Sequence, residues 1–507
     1  MPLHVFCVLV MGLFASLSAA GVYGLTRELT GEIKWAVFAA VLYAFIIANY
    51  RTIGFILIRE DVGLPLFAMH LWLLARALRL GTVGAIAAAA IALVLALATW
   101  HANRMVVTIE AACIFAWYLR TAQNPLSATK AWLFAAILVL SSLIVPVLWR
   151  TRMALSFPTV MAVALVAASI VERRRGRGAI HPALVVLISL AITFAFAKLL
   201  QGEGDYGHVL DLIMAKLAHG GVKPDDPSAL SHGARLLWQG PFRSGTLTEI
   251  WTGLGALGIL LPVCLLGAVP GWLKGSGDAR TLLLSAFAGC CLVAAMMVIR
   301  MLALLGLVMP VIAAVCLWQS RPRGVGLWMV GLVLGQAVPF EVGIKHYDIS
   351  TWYSPWHQAA IAEGVEWIRD NLPHDGAIAT DFMTSSAVLA NTGHAVVLQP
   401  KYEVRESRDR IVTFLNGFYG QSPAEFRSLL LDEFAARYLL VDLPSIWADS
   451  YVAGVPLSAE EPPVGSAARE FLNDQYQVYA AVPGFRLLFE APKGESIWRL
   501  YEIEGSM

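Results

Sequence analysis

Residues 49–78 read NYRTIGFILIREDVGLPLFAMHLWLLARAL. An apolar run ends in three adjacent charges, Arg59, Glu60 and Asp61, and a second apolar run containing Pro65 follows at once. Both runs are of the kind that enters a bilayer, so the triplet marks a point where the chain meets water or a polar cavity. One reading makes it an interfacial boundary and nothing more; the other makes it the mouth of a site.

The rest of the chain has the same character. Of its 507 residues 58% are hydrophobic and 14% charged, and the mean hydropathy is +0.66, values that lie outside the range of soluble domains. Apolar stretches recur from Leu3 to Val342, which defines a polytopic α-helical membrane protein of about twelve spans. The expected spans are roughly 3–25, 35–52, 62–78, 82–99, 105–119, 131–149, 153–171, 180–200, 248–272, 281–299, 301–318 and 325–342. A net charge of +1 points to no nucleic-acid partner. The six cysteines all fall in apolar segments without metal-ligand spacing, so packing is their expected role.

Lys and Arg distribute unevenly over alternate loops. Arg27 and Lys34, Arg76 and Arg79, Arg120 and Lys130, the run Arg173 to Arg175 with Arg177, Lys274 and Arg280, and Arg321 and Arg323 all fall on one side. That side is expected to be cytoplasmic. The triplet at 59–61, Trp100-His101, a long loop over 201–247, Arg300 and everything after about 343 then lie on the other. The same count exports Met1, and a thirteenth helix ahead of it would bring the start inside. The favoured expectation is a chain that begins one helix late.

After about Lys345 the composition turns soluble. AAIAEGVEWIRDNL has helical periodicity and stops at PHDG, while AVVL and RYLLVD are strand-like runs between turn signals. The expected division is a helical bundle over 1–343, including the external loop 201–247, and a small extracytoplasmic α/β domain over 344–507.

Chemistry concentrates on the external set. Arg300 stands between the apolar runs CLVAAMMVI and MLALLGLVMP, where a lone cation needs a phosphate, a carboxylate or a water-filled cavity. A carboxylate-bearing loop with an Arg at membrane level suits reaction at a lipid-linked phosphate, the Arg neutralising the leaving phosphate. His101 is a candidate acid or base, against the commoner reading of an interfacial histidine. Asp225 and Asp226 read as a solvated loop. The chain carries no P-loop, no G-x-G-x-x-G after a strand, no H-E-x-x-H and no G-x-S-x-G.

Four stretches together resemble the GT-C glycosyltransferases, and within them most nearly the tryptophan C-mannosyltransferases of the dumpy-nineteen family. They are IREDVGLPLFAMHLWLLARAL, LATWHANRMVVTIEAACIFAWYL, MMVIRMLALLGLVMPVIAAV and EWIRDNLPHDGAIATDFMTSSAVLANTGHAVVLQPKYEVRESRDR. Their order carries more weight than any one of them. The oligosaccharyltransferase catalytic subunits are more distantly similar, but the Trp-Trp-Asp signature expected there is replaced by ATDFMTSS.

The resemblance implies a membrane glycosyltransferase that moves a sugar, mannose in the nearest family, from a polyprenyl-phosphate donor to a protein or glycan acceptor. It implies catalytic roles for Glu60, Arg59 and His101, and donor-phosphate contacts from Arg300, Lys401 and Arg405. The acceptor and sugar pocket would draw on Asp61, Trp100, Trp238, Glu249, His394, Tyr402 and Glu403. Asp61 is the candidate contact for a divalent metal, with no cofactor demanded by the sequence. The Ala- and Arg-rich composition fits a bacterial inner membrane with the C-terminal domain in the periplasm. Two rivals stand beside this expectation: an enzyme acting on an envelope glycan or lipid, and a non-enzymatic transport or assembly protein.

Overall fold

The computed structural model describes residues 3–52, 59–100, 102–121, 128–176, 180–199, 207–274, 278–346, 355–399, 401, 404–476, 481–491 and 498–505. The chain forms two compact units, one of residues 1–202 and 244–345, the other of residues 203–243 and 346–507. The segment 203–243, assigned from sequence to a loop of the bundle, thus packs with the C-terminal residues.

The first unit is helical. Its order begins α1 (Leu3–Thr30), α2 (Ile33–Ala44), α3 (Glu60–Leu80), α4 (Val83–Thr99), α5 (Asn103–Thr121), α6 (Ala128–Ile144), α7 (Pro146–Arg150), α8 (Phe157–Arg175) and α9 (Pro182–Leu199). After the excursion into the second unit, where α10 (Gly207–Ala218) and α11 (His232–Leu237) lie, come α12 (Leu247–Leu254), α13 (Ala256–Lys274), α14 (Ala279–Met297), α15 (Leu302–Ser320) and α16 (Val325–His346). Local sequence sets several boundaries. Gly81, at φ +69°, ends α3 by donating its N–H to Ala77 O, a left-handed cap that a Cβ would strain. Thr246 and Glu249 form a capping box that starts α12.

The expectation of twelve spans is not confirmed. Among the described residues four helices are long and apolar enough to cross a membrane, or five if α12 and α13, bent by 108°, count as one. Five further apolar helices have 10–17 residues. The physical reasons are local. Pro146 starts a new helix where one span was expected to run to 149, and α2 gives way to a tight 3₁₀ turn over Ile47–Thr52. α5 carries Arg104, Glu110 and Arg120, and α8 ends in Glu172 to Arg175. These apolar helices and the composition are those of an integral membrane protein.

α15 is the core of this unit: most of its side chains, from Leu302 to Leu317, are buried. Gly306 is tight against Asn49, and Gly253 of α12 against Leu302, so small residues let these elements approach.

The second unit continues with α17 (Pro355–Asn371), α18 (Thr384–Thr392), α19 (Arg405–Gly420), α20 (Pro423–Asp432), α21 (Leu443–Ala453) and α22 (Ala467–Tyr476). They pack on a sheet of β1 (Ala377–Ala379), β2 (Ala436–Asp442), β3 (Phe485–Ala491) and β4 (Trp498–Ile503), in the order β1-β2-β4-β3. β1 runs parallel to β2, and the other pairings are antiparallel, with Leu440 opposite Leu500. Two-residue alternation sends Leu439, Val441, Tyr501 and Ile503 into one core layer and Tyr438, Leu440, Trp498 and Leu500 into the other. Apolar burial on both faces explains why RYLLVD reads as an almost continuous hydrophobic run.

Candidate functional site

Glu60 and Asp61 occupy the first turn of α3, where the helix dipole favours negative charge. Both are buried, whereas Arg59, which precedes the helix, is exposed. The triplet therefore divides into one residue turned outward and two carboxylates turned into protein.

The cation that meets them comes from the break between α14 and α15. Val298 adopts an extended conformation, φ −141° and ψ 105°, and ends α14; a single 3₁₀ turn, Ile299–Met301, then leads into α15. Arg300 sits on that turn. Its Nε and Nη2 both donate to Oε1 of Glu60. The Glu60 side chain is 5% exposed and that of Arg300 22%, so the pair is mostly desolvated but its cationic end is not sealed. The guanidinium also lies 5.9 Å from the ring centroid of Trp100, within cation–π range.

Trp100 is held from below. It ends α4 in an extended conformation and donates its backbone N–H to Ala96 O. Asn103, at the start of α5, is fully buried and donates through Nδ2 to Ala96 O at 2.7 Å and to Gly63 O at 3.3 Å. Gly63 is the contact point of α3, since a Cβ there would lie 2.5 Å from that of Trp100. The start of α3, the α4–α5 turn and the α14–α15 break therefore form one constellation: a desolvated carboxylate, a guanidinium that reaches solvent, an indole face and a pinned amide. A guanidinium so placed can accept an oxyanion while the carboxylate fixes its orientation.

Glu249 is half-buried and its Oε2 accepts from the N–H of Thr246 at 2.9 Å, as the capping box requires. Trp238 is buried in the second unit with Leu212, Leu230, Leu237 and Tyr451. Lys216 Nζ lies 5.3 Å from the Trp238 ring and donates to Phe242 O; its burial pulls the amine down to about 8. His394 is a core residue, stacked on His374 at 3.9 Å with Nε2 3.3 Å from Leu372 O. Lys401 and Arg405 are exposed, and Arg405 faces Asp409 one helical turn on, at 3.6 Å. His101, Tyr402 and Glu403 lie outside the described residues. Asp61 stands beside Glu60, but among the described residues no group of three or more His, Cys, Asp or Glu is arranged to hold a metal ion.

Sequence reasoning missed Asn103, Gly63 and the partner of Glu110. Glu110 of α5 holds Nε2 of His70 on α3 with both carboxylate oxygens at 3.2 Å, and the other ring nitrogen meets Ala89 O of α4 at 2.9 Å. His70 and Glu110 each stand in the apolar middle of a helix, and that pattern is the signal that could have paired them.

No protein-family model and no curated protein matches the sequence. Solved structures do. The chain is similar to the oligosaccharyltransferase AglB from Archaeoglobus fulgidus, solved with an inhibitory peptide and a dolichol-phosphate, at 15% identity and a TM-score of 0.61, over 99% of this chain and 63% of that one. The apo form of the Archaeoglobus fulgidus oligosaccharyltransferase matches at 14% identity and a TM-score of 0.63, over 89% and 60%. Its complex with Zn and sulfate matches at 14% and 0.59, over 98% and 61%. The chain thus shares the fold of these oligosaccharyltransferase structures while spanning 60–63% of the length of their chains.

Proposed function

We propose that the chain is a membrane glycosyltransferase that transfers a sugar from a polyprenyl-phosphate donor to an acceptor at the extracytoplasmic face. The observation that carries this reading is the Glu60–Arg300 pair packed over Trp100 within a GT-C fold. Arg300 stabilises the phosphate as it leaves, when its charge grows. Glu60 holds the guanidinium in place, and Trp100 walls the sugar or acceptor side.

The fold of the oligosaccharyltransferases supports the class of reaction. The resemblance to the tryptophan C-mannosyltransferases supplies the first acceptor to try, the indole carbon of a protein tryptophan, with mannose as the sugar. Transfer forms a bond from the anomeric carbon to the indole carbon, breaks the bond to the phosphate oxygen and removes the ring proton to a base.

The test incubates membranes containing the chain with polyprenyl-phosphate mannose, a Trp-containing peptide and an envelope glycan, followed by tandem mass spectrometry. A hexose that stays on Trp through fragmentation, lost in Arg300→Ala, supports the proposal in full. Hexose on the glycan alone keeps the enzyme class and replaces the acceptor. Equal biological function in parent, Glu60→Ala and Arg300→Ala, without transfer by any, overturns it.

A further inference from the structure

The parallel pair β1 and β2 ends in acid. Asp381 lies two residues beyond β1, Asp442 is the last residue of β2, and α21 brings Asp449 back to the same place. The three line a small cavity of about 20 Å³, together with Phe414, Phe418 and Tyr419. A crevice at the carboxyl ends of neighbouring parallel strands is where α/β sheets hold ligands.

Two of the carboxylates have structural work. Asp442 accepts from Trp498 Nε1 at 3.0 Å, Ser445 Oγ at 2.6 Å and Thr384 Oγ1 at 3.3 Å. Asp381 accepts the backbone N–H groups of Met383 and Thr384, each at 2.9 Å, and so caps α18. Asp449 is different. It is 4% exposed, lines the cavity and accepts no hydrogen bond from any described residue. A buried carboxyl without a donor is costly to keep charged, and burial beside Asp381 and Asp442 pushes its titration well above the ordinary range. A cation bound in this cavity would favour the ionised form of Asp449.

We infer that this cavity binds a primary alkylammonium group, with Asp449 as its counter-ion. The carboxyls are not grouped as ligands of a metal ion. The aromatic walls suit an organic cation, whose charge the rings attract and whose methylenes they cover. The volume exceeds the roughly 10–15 Å³ that one water-sized group needs, so an ammonium tip fits. Asp381 is only partly buried and marks the side from which the group enters. The inference concerns the second unit alone and does not rest on the proposed transferase activity.

The test uses the full chain in detergent and n-butylammonium chloride as probe, with tetramethylammonium chloride at equal ionic strength as control. Calorimetry in two buffers of different ionisation enthalpy reads binding and proton release together. The expected result is saturable binding that releases a proton and tightens as pH rises from 6 to 8. In Asp449→Asn, which imitates the neutral acid, affinity falls at least about tenfold and proton release disappears. Asp449→Glu, whose extra methylene occupies the cavity, weakens binding while keeping an acid and serves if the first variant does not fold. N-acetyl-lysine methylamide against ethanolamine then separates a polypeptide source from a lipid headgroup, and tighter binding of either supports the site. Binding that matches the control salt, or that survives unchanged in both variants, leaves the cavity with water only and overturns the inference.

Discussion

Glu60 and Arg300 are 240 residues apart in sequence, yet two guanidinium nitrogens of Arg300 converge on a single carboxylate oxygen of Glu60. The pair joins the first turn of α3 to the break between α14 and α15. A desolvated pair of this kind is weak as a source of stability but unforgiving when halved, because the remaining charge stays buried.

Arg300→Ala is accordingly expected to cost about 3–5 kcal/mol of stability and to abolish transfer. Arg300→Lys keeps the charge but not the planar fork, and should fold better than it works. Thermal melting in detergent, read beside turnover, separates the two effects. In the double variant with Glu60→Ala the stability losses should sum to less than their total; strict additivity would mean that the pair does not interact in solution.

Gly63→Ala tests the support under Trp100. The added methyl would lie 2.5 Å from the Trp100 Cβ and 3.2 Å from Asn103 Nδ2. It should cost about 1–3 kcal/mol, as overpacking does. It should also displace the indole beneath Arg300, so the donor KM rises even at temperatures where the variant stays folded. A parent-like KM would show that Trp100 plays no part in donor binding.

His70 and Glu110 form the second polar link inside the helical unit, joining α3 to α5. Glu110→Ala leaves one nitrogen of a fully buried ring without its acceptor and is expected to destabilise by about 1–3 kcal/mol. Glu110→Gln preserves a hydrogen bond and should recover most of that. Because the pair is remote from the Arg300 constellation in its contacts, turnover by folded protein should change little; melting curves and specific activity check both statements. A melting temperature unchanged in Glu110→Ala would rule out the link.

The second unit should be more stable in mild acid. Burial and the neighbouring Asp442 push Asp381 up from 3.8 to about 6. A raised acid binds its proton more tightly in the folded state. Its contribution is complete below about 3.8 and is lost as pH rises through about 6. Asp449 is displaced in the same direction. The melting temperature of the parent should thus fall between about pH 4 and about pH 6 by more than that of Asp381→Asn. Parallel pH curves for the two proteins would contradict the shift.

The elements themselves were largely legible from local pattern. Uninterrupted apolar runs give α3, α14 and α15 close to their expected bounds, and RYLLVD and EWIRDNL fall on β2 and α17. Their reading failed where a break depends on one residue amid apolar sequence. The helix expected to end at 149 divides at Pro146, and the one expected to run to 52 becomes 3₁₀ from Ile47. Glu60 and Arg300 were both picked out, each because an ion among apolar residues demands an explanation, and the structure pairs them. Trp238 and His394 were picked out too and both are buried; polar and aromatic side chains look alike in sequence whether they line a pocket or fill a core.

What the sequence by itself determined is therefore what neighbouring residues decide: membrane character, the alternation that builds the sheet and the positions of the isolated charges. Tertiary structure alone decided which charge meets which. Hydrophobic periodicity acts over a few residues, whereas the pairing of Glu60 with Arg300, of His70 with Glu110 and the gathering of Asp449 with Asp381 and Asp442 follow from how distant helices and strand ends pack. The energy of a buried charge depends on that packing far more than on the residues beside it in the chain.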